Sequence, residues 1–135
     1  MTLIDTFRTA LETGDRGAAT AGFAADVVLH SPAVISTDYR GRELVAQITG
    51  MAMQTLEGIR VTDELHGEDG GTHALVFEAA VGDEPAQGVF HLATGGGQIV
   101  SLTLLLRPLR AVQAFVDTMR SKGAQPALDH ARGVR

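Results

Sequence analysis

The chain reads as an α+β fold, a curved and mostly antiparallel sheet with helices segregated to one of its faces. Three observations lead there. Apolar residues recur at helical spacing at the N-terminus and again after Pro108. After Gly58 the period changes from helical to alternating, as in strands exposed on one side. The alternating region is cut by short glycine-rich turns, which join neighbouring strands into an antiparallel meander. The order is helix, helix, strand, helix, meander, helix. The 135 residues suffice for one domain with its own core. Residues 1–123 are read as that domain. Residues 124–135 hold a proline and no apolar pattern, and are read as a frayed tail.

Each element has a local reason. Thr2–Thr13 carries Leu3, Ile4, Phe7 and Leu11 on one stripe, and Thr2 with Asp5 has the form of a capping box. Gly14 suits the left-handed position past a helix end. Asp15 can cap a short alanine-rich helix, Arg16–Ala24, closed by Phe23. Val27–Ser31 is a strand that Pro32 ends, because proline cannot donate to a ladder. Ala33–Arg40 is a loop with the one tyrosine, Tyr39. Gly41 opens a third helix, Arg42–Leu56, with Leu44, Val45, Ile48, Met51, Ala52 and Thr55 on one face. Gly50 interrupts it at a cost of ~1 kcal/mol relative to alanine.

Ile59–His66, Thr72–Val81, Gln87–Ala93 and Gln98–Arg107 are the later strands. The turns between them are Glu68-Asp69-Gly70-Gly71, Gly82-Asp83-Glu84-Pro85 and Thr94-Gly95-Gly96-Gly97. Pro108 fits the first turn of a last helix. That helix is striped by Leu109, Val112, Val116 and Met119, with Gly123 past its end.

Composition narrows the function classes. Sixteen acidic against eleven basic residues give a net charge of −5, which argues against nucleic-acid and anionic-membrane partners. No cysteine is present, so disulfides, thiolate metal sites and a cysteine nucleophile are excluded. The start MTLIDTFRTAL lacks the basic and long apolar regions of a signal peptide. The longest apolar run, around Leu104–Leu106, is far short of the ~20 residues that span a bilayer. A soluble, cytoplasmic protein is expected.

The order of elements, with the motif FAxDVxxxxP, resembles the nuclear-transport-factor-2-like (NTF2-like) superfamily. That group includes ketosteroid isomerase, limonene epoxide hydrolase and the SnoaL-like polyketide cyclases. The resemblance rests on Gly14-Asp15, on Phe23-Ala24 with Asp26 and Pro32, on Gly41-Arg42-Glu43 and on Gly97-Gln98-Ile99. The ending LLLRPL before a helix looks like an uncharacterised SnoaL-like branch. The resemblance implies a cone, in which bent sheet and helices enclose an apolar pocket and the outer sheet face makes a homodimer. In the isomerase the catalytic acid immediately precedes the motif proline, and that position here is Ser31. The positions of its two oxyanion donors fall near Phe7 and Val89. All three of those catalytic groups are absent, and no Asp-Arg-Asp set of the epoxide hydrolase is matched.

The same carry-over sets the expected pocket. With Ser31 inside, alternation brings Leu29 and Val27 with it. The resemblance adds Leu75, Phe77 and Ala79 on the next strong strand, Val89 and His91 after it, and Leu102, Leu104 and Leu106 on the last. Tyr39 is placed to fold over the mouth. The alternate set, including His30, Glu78 and Arg107, faces outwards, with Glu78 and Arg107 as a cross-strand pair inside a dimer interface.

His91 is the candidate general base, since an unperturbed histidine pKa near 6.5 suits proton transfer. The alternative is a histidine that hydrogen-bonds within the cone and does no chemistry. Ser31 is the weaker catalytic candidate, lacking a Gly-x-Ser-x-Gly elbow. Asp26 is a possible pocket acid or a turn acceptor. Asp63, His66, Glu68, Asp69 and His73 match no metal motif and read as a solvated hairpin tip. No metal and no cofactor are expected. The first reading is a dimer that binds a small apolar or amphipathic molecule. The second is a SnoaL-like isomerase, lyase or cyclase, and the third a non-catalytic dimeric interaction module.

Overall fold

The structure, a computed structural model, describes residues 2–32 and 38–124. Its elements are α1 (Leu3–Thr13), α2 (Arg16–Thr20), β1 (Phe23–His30), β2 (Tyr39–Arg40), α3 (Arg42–Thr55), β3 (Glu57–His66), β4 (Thr72–Val81), β5 (Glu84–Gly95), β6 (Gln98–Arg107) and α4 (Leu109–Met119). A π-helical turn, Arg120–Ala124, follows α4. The strands form a six-stranded sheet in the order β2-β1-β6-β5-β4-β3. All neighbours are antiparallel except β1 and β6, which run parallel. This is the expected α+β architecture of sheet and helices.

The start of α1 follows its sequence signature. The Thr2 side chain accepts from the Asp5 N–H, the Asp5 carboxylate accepts from the Thr2 N–H, and Gly14 closes the helix in the left-handed region. The second helix is shorter than expected. It stops at Thr20, and Phe23, read as its last apolar residue, instead begins β1. Pairing decides this. Phe23 lies opposite Ile99 of β6, the Ile99 N–H donates to the Gly22 carbonyl at 2.8 Å, and Arg42 Nε donates to the Phe23 carbonyl at 3.1 Å. Tyr39 and Arg40, expected in a loop, pair with Leu29 and Val28 as a short edge strand. Residues 33–37 of that expected loop lie outside the described residues, as do residues 125–135 of the expected tail.

The meander is longer than its apolar pattern indicated. Glu84 and Pro85 already belong to β5, as do Thr94 and Gly95. The connections shrink to Gly82-Asp83 and to Gly96-Gly97, where both glycines hold positive φ, 60° and 76°.

Pairing also fixes which side chains face inwards. Leu75 lies opposite Phe90, and Phe90 opposite Leu104, so these three share the concave face. Phe77 and Leu102 join them, with Leu92 opposite Leu102. Ile4, Phe7 and Leu11 of α1, Val45 and Ile48 of α3, and Ala111, Phe115 and Met119 of α4 close over this face in one apolar cluster. The buried stripe of α4 therefore differs from the expected one. Leu109 is 81% exposed, and Phe115 takes the place expected of its neighbours.

Gly88 makes room for the packing. A Cβ there would meet the Phe77 ring and would stand 2.6 Å from the Leu105 carbonyl oxygen. Phe77 seats over the bare backbone and stacks on Phe90 at 5.2 Å, while Phe7 meets Phe90 edge-on at 5.7 Å. These three rings fill the middle of the cone. Among the described residues no helix is long and apolar enough to cross a membrane.

Candidate functional site

The cone is not filled to its end. Between α3, α4 and the sheet lies an apolar slot of about 20 Å³, room for a water-sized group. Leu29, Phe90 and Leu104 form its sheet side. Ile48, Thr49 and Ala52 form the α3 wall, and Phe115, Val116 and Met119 the α4 wall. Ser31, Pro32 and Tyr39 complete the lining where β1 ends and β2 begins. Helical spacing brings Ile48, Thr49 and Ala52 to one side of α3. Deeper on the same helix, the Thr55 hydroxyl donates to the Met51 carbonyl at 2.9 Å and approaches Met119 Sδ at 3.5 Å, tying α3 to α4.

The slot's polar groups are hydroxyls on Ser31, Tyr39 and Thr49. Among the described lining residues there is no carboxylate, imidazole or cationic side chain. Thr49 is 2% exposed, and its Oγ1 has no hydrogen-bond partner.

Of the residues expected in the pocket, Leu29, Ser31, Tyr39 and Leu104 line the slot. Leu75, Phe77 and Leu102 face inwards but are packed solid in the core. Ala79 and Leu106 are half-buried against that core. Val89 and His91 require correction. With Phe90 on the inner face, both neighbours project to the opposite one. Val89 is half-buried there and His91 is exposed. His91 borders a shallow outer hollow with Leu65, His66 and His73. It is therefore no general base inside the cone. Asp26 is exposed on β1 and is no pocket acid.

The outer face carries His30, Glu78 and Arg107, in partnerships other than the expected one. The expected Glu78–Arg107 pair does not form, because β5 runs between their strands. Gln87 lies opposite both residues. Arg60 of β3 pairs with Glu78 instead, and Arg107 Nη1 donates to Gln87 Oε1 at 3.1 Å. His30 Nδ1 stands 2.7 Å from Asp38 Oδ1. At the β3–β4 tip His66 lies opposite His73, with their Nδ1 atoms 2.6 Å apart, and Glu64 Oε2 stands 3.2 Å from His66 Nε2. Among the described residues no three metal-ligating side chains converge.

Sequence reasoning missed Thr49, Phe90 and Phe115. The signal for Thr49 was present. It follows Val45 by one helical turn, inside the apolar stripe, where a hydroxyl needs a reason. Phe90 was hidden by the register of β5 and Phe115 by the phase of α4.

No family model matches the sequence, and no curated protein does. Solved structures do. A steroid delta-isomerase from Pseudomonas aeruginosa superposes with a TM-score of 0.85 at 22% identity, covering 93% of this chain and 92% of that one. An uncharacterised bacterial protein with a cystatin-like fold, from Silicibacter pomeroyi, gives 0.83 at 28% identity over 98% and 93%. An NTF2-like protein of unknown function from Cytophaga hutchinsonii gives 0.62 at 18% identity over 78% and 88%. The fold is the cystatin-like, NTF2-like one.

Proposed function

We propose that this chain, on an NTF2-like fold of the SnoaL-like kind, binds a small, uncharged, mostly apolar molecule in the slot between α3, α4 and the sheet. The observation that carries this reading is the lining itself: hydrocarbon on all sides, with Ser31, Tyr39 and Thr49 as its few polar groups. That is the character of a small-molecule site. A charged ligand would lie there unpaired and desolvated at high cost. Binding without assigned chemistry is preferred over proton transfer, because the candidate base His91 sits on the other face of the sheet.

The size of the slot bears on the ligand. A space of about 20 Å³ admits no ring as it stands, so a ring enters only as the Met119 wall yields, and the ligand is compact. The isomerase likeness, at 22% identity, is one of fold and carries no steroid substrate to this chain. An acidic, cysteine-free sequence fits the cytoplasm as the compartment.

The outer face supports a homodimer. Leu105 is 54% exposed and lies beside Val76 and Val89. The Arg60–Glu78 pair and Arg107 with Gln87 flank this apolar centre. Both charge signs lie on one face, so a two-fold-related copy can meet its complement.

Native mass spectrometry of gently purified protein, followed by denaturing release, tests the binding reading. A defined small mass on the folded chain, lost on denaturation, is the expected result. A bare chain that also fails to bind compact apolar probes would refute it.

A further inference from the structure

We infer that Thr49 is the polar anchor of the slot, so that the ligand is a compact, uncharged and mostly hydrocarbon molecule whose one hydroxyl or carbonyl oxygen pairs with the Thr49 hydroxyl. This rests on the binding reading above.

The inference starts from an anomaly in α3. A threonine inside a helix ordinarily satisfies its hydroxyl by donating to the carbonyl four residues back. Thr6, Thr13, Thr20 and Thr55 do so, at 3.1, 2.9, 3.0 and 2.9 Å. Thr9 and Thr118 do not, but they are exposed and half-buried respectively and can turn to water. Thr49 has the Val45 carbonyl in the same relation and makes no such bond. Its Oγ1 is sealed from solvent without a partner, in a residue 2% exposed. A buried unpaired hydroxyl is destabilising, and valine would fill the same space without that cost.

The unpaired hydroxyl belongs to a residue that lines the cavity. What enters the cavity can satisfy it. The rest of the lining sets the ligand class. Ile48, Ala52, Phe115 and Met119 offer only hydrocarbon and sulfur contacts beside Thr49, and Ser31 and Tyr39 at the β1–β2 side are not without partners, so the ligand body is apolar and its polarity sits at Thr49. Met119, unbranched and adaptable, is the wall that yields to a ring larger than the present space.

The test is an NMR titration with phenol and with toluene, on the wild type, Thr49→Val and Thr49→Ser. Both probes are expected to bind the wild type. Thr49→Val is expected to weaken phenol about five- to tenfold, the worth of one uncharged hydrogen bond, and to leave toluene unchanged. Thr49→Ser is expected to retain phenol binding. Thr49→Ala serves as the second hydroxyl deletion if the valine variant does not fold. If both probes bind and deleting the hydroxyl changes neither, the anchor is wrong and the slot remains a binding site. If neither probe binds the wild type at millimolar concentration, the slot holds at most a water, and both the anchor and the binding reading fall.

Discussion

Phe90 stacks on Phe77 with ring centroids 5.2 Å apart and planes inclined by 28°. The same Phe90 forms part of the slot's sheet side, so one residue both completes the core and bounds the binding space. Phe90→Ala is expected to cost about 3–5 kcal/mol in a urea melt. It should also enlarge the slot and tighten toluene binding. A loss under about 1 kcal/mol would contradict the packing described here.

Gly88 is expected to resist substitution. Its missing Cβ leaves the space that the Phe77 ring occupies. Gly88→Ala should therefore destabilise by about 1–3 kcal/mol through overpacking. An unchanged denaturation midpoint would mean that Phe77 sits elsewhere.

The helix start gives a pH prediction. The Thr2 backbone N–H and then its hydroxyl hold the Asp5 carboxyl below the ordinary aspartate range. The folded chain thus favours the ionised acid. Its stabilisation of the helix start is present above the ordinary aspartate pKa and is lost as pH falls through the lowered folded value. Thr2→Ala should move Asp5 back towards the ordinary value in a carboxyl NMR titration. Alanine keeps the backbone donor, so the return is partial, and an unmoved titration would leave the Thr2 hydroxyl without electrostatic consequence.

The outer face predicts association. Sedimentation should report a dimer at micromolar concentration, and Leu105→Glu should report a monomer, since the new carboxylate would be buried unpaired in the contact. A monomeric wild type, or a variant that still dimerises, would remove the dimer.

Much of this fold was legible in the sequence. Thr2, Asp5 and Gly14 announced α1 by chemistry local to the chain. The glycines of the meander announced the turns for the same reason. What escaped depended on distant partners. Phe23 looks helical beside its alanines and becomes a strand because Ile99 waits for it on β6. Val89 and His91 were placed inside by likeness to other proteins, whereas pairing of Leu75 with Phe90 turns both outwards. A slip of one residue reverses every side chain on a strand. The candidate site suffered most from this. Ser31, Tyr39, Leu29 and Leu104 were legible, while Thr49 became conspicuous only once its environment showed a hydroxyl without a partner.

Methyl NMR of the wild-type protein during a toluene titration tests the central claim, that the slot is where a small apolar molecule binds. The account predicts shifts at Ile48, Leu29, Leu104 and Met119, with the methyls of Val76, Val89 and Leu105 unmoved. Silence at the slot, or shifts confined to the outer face, would contradict it.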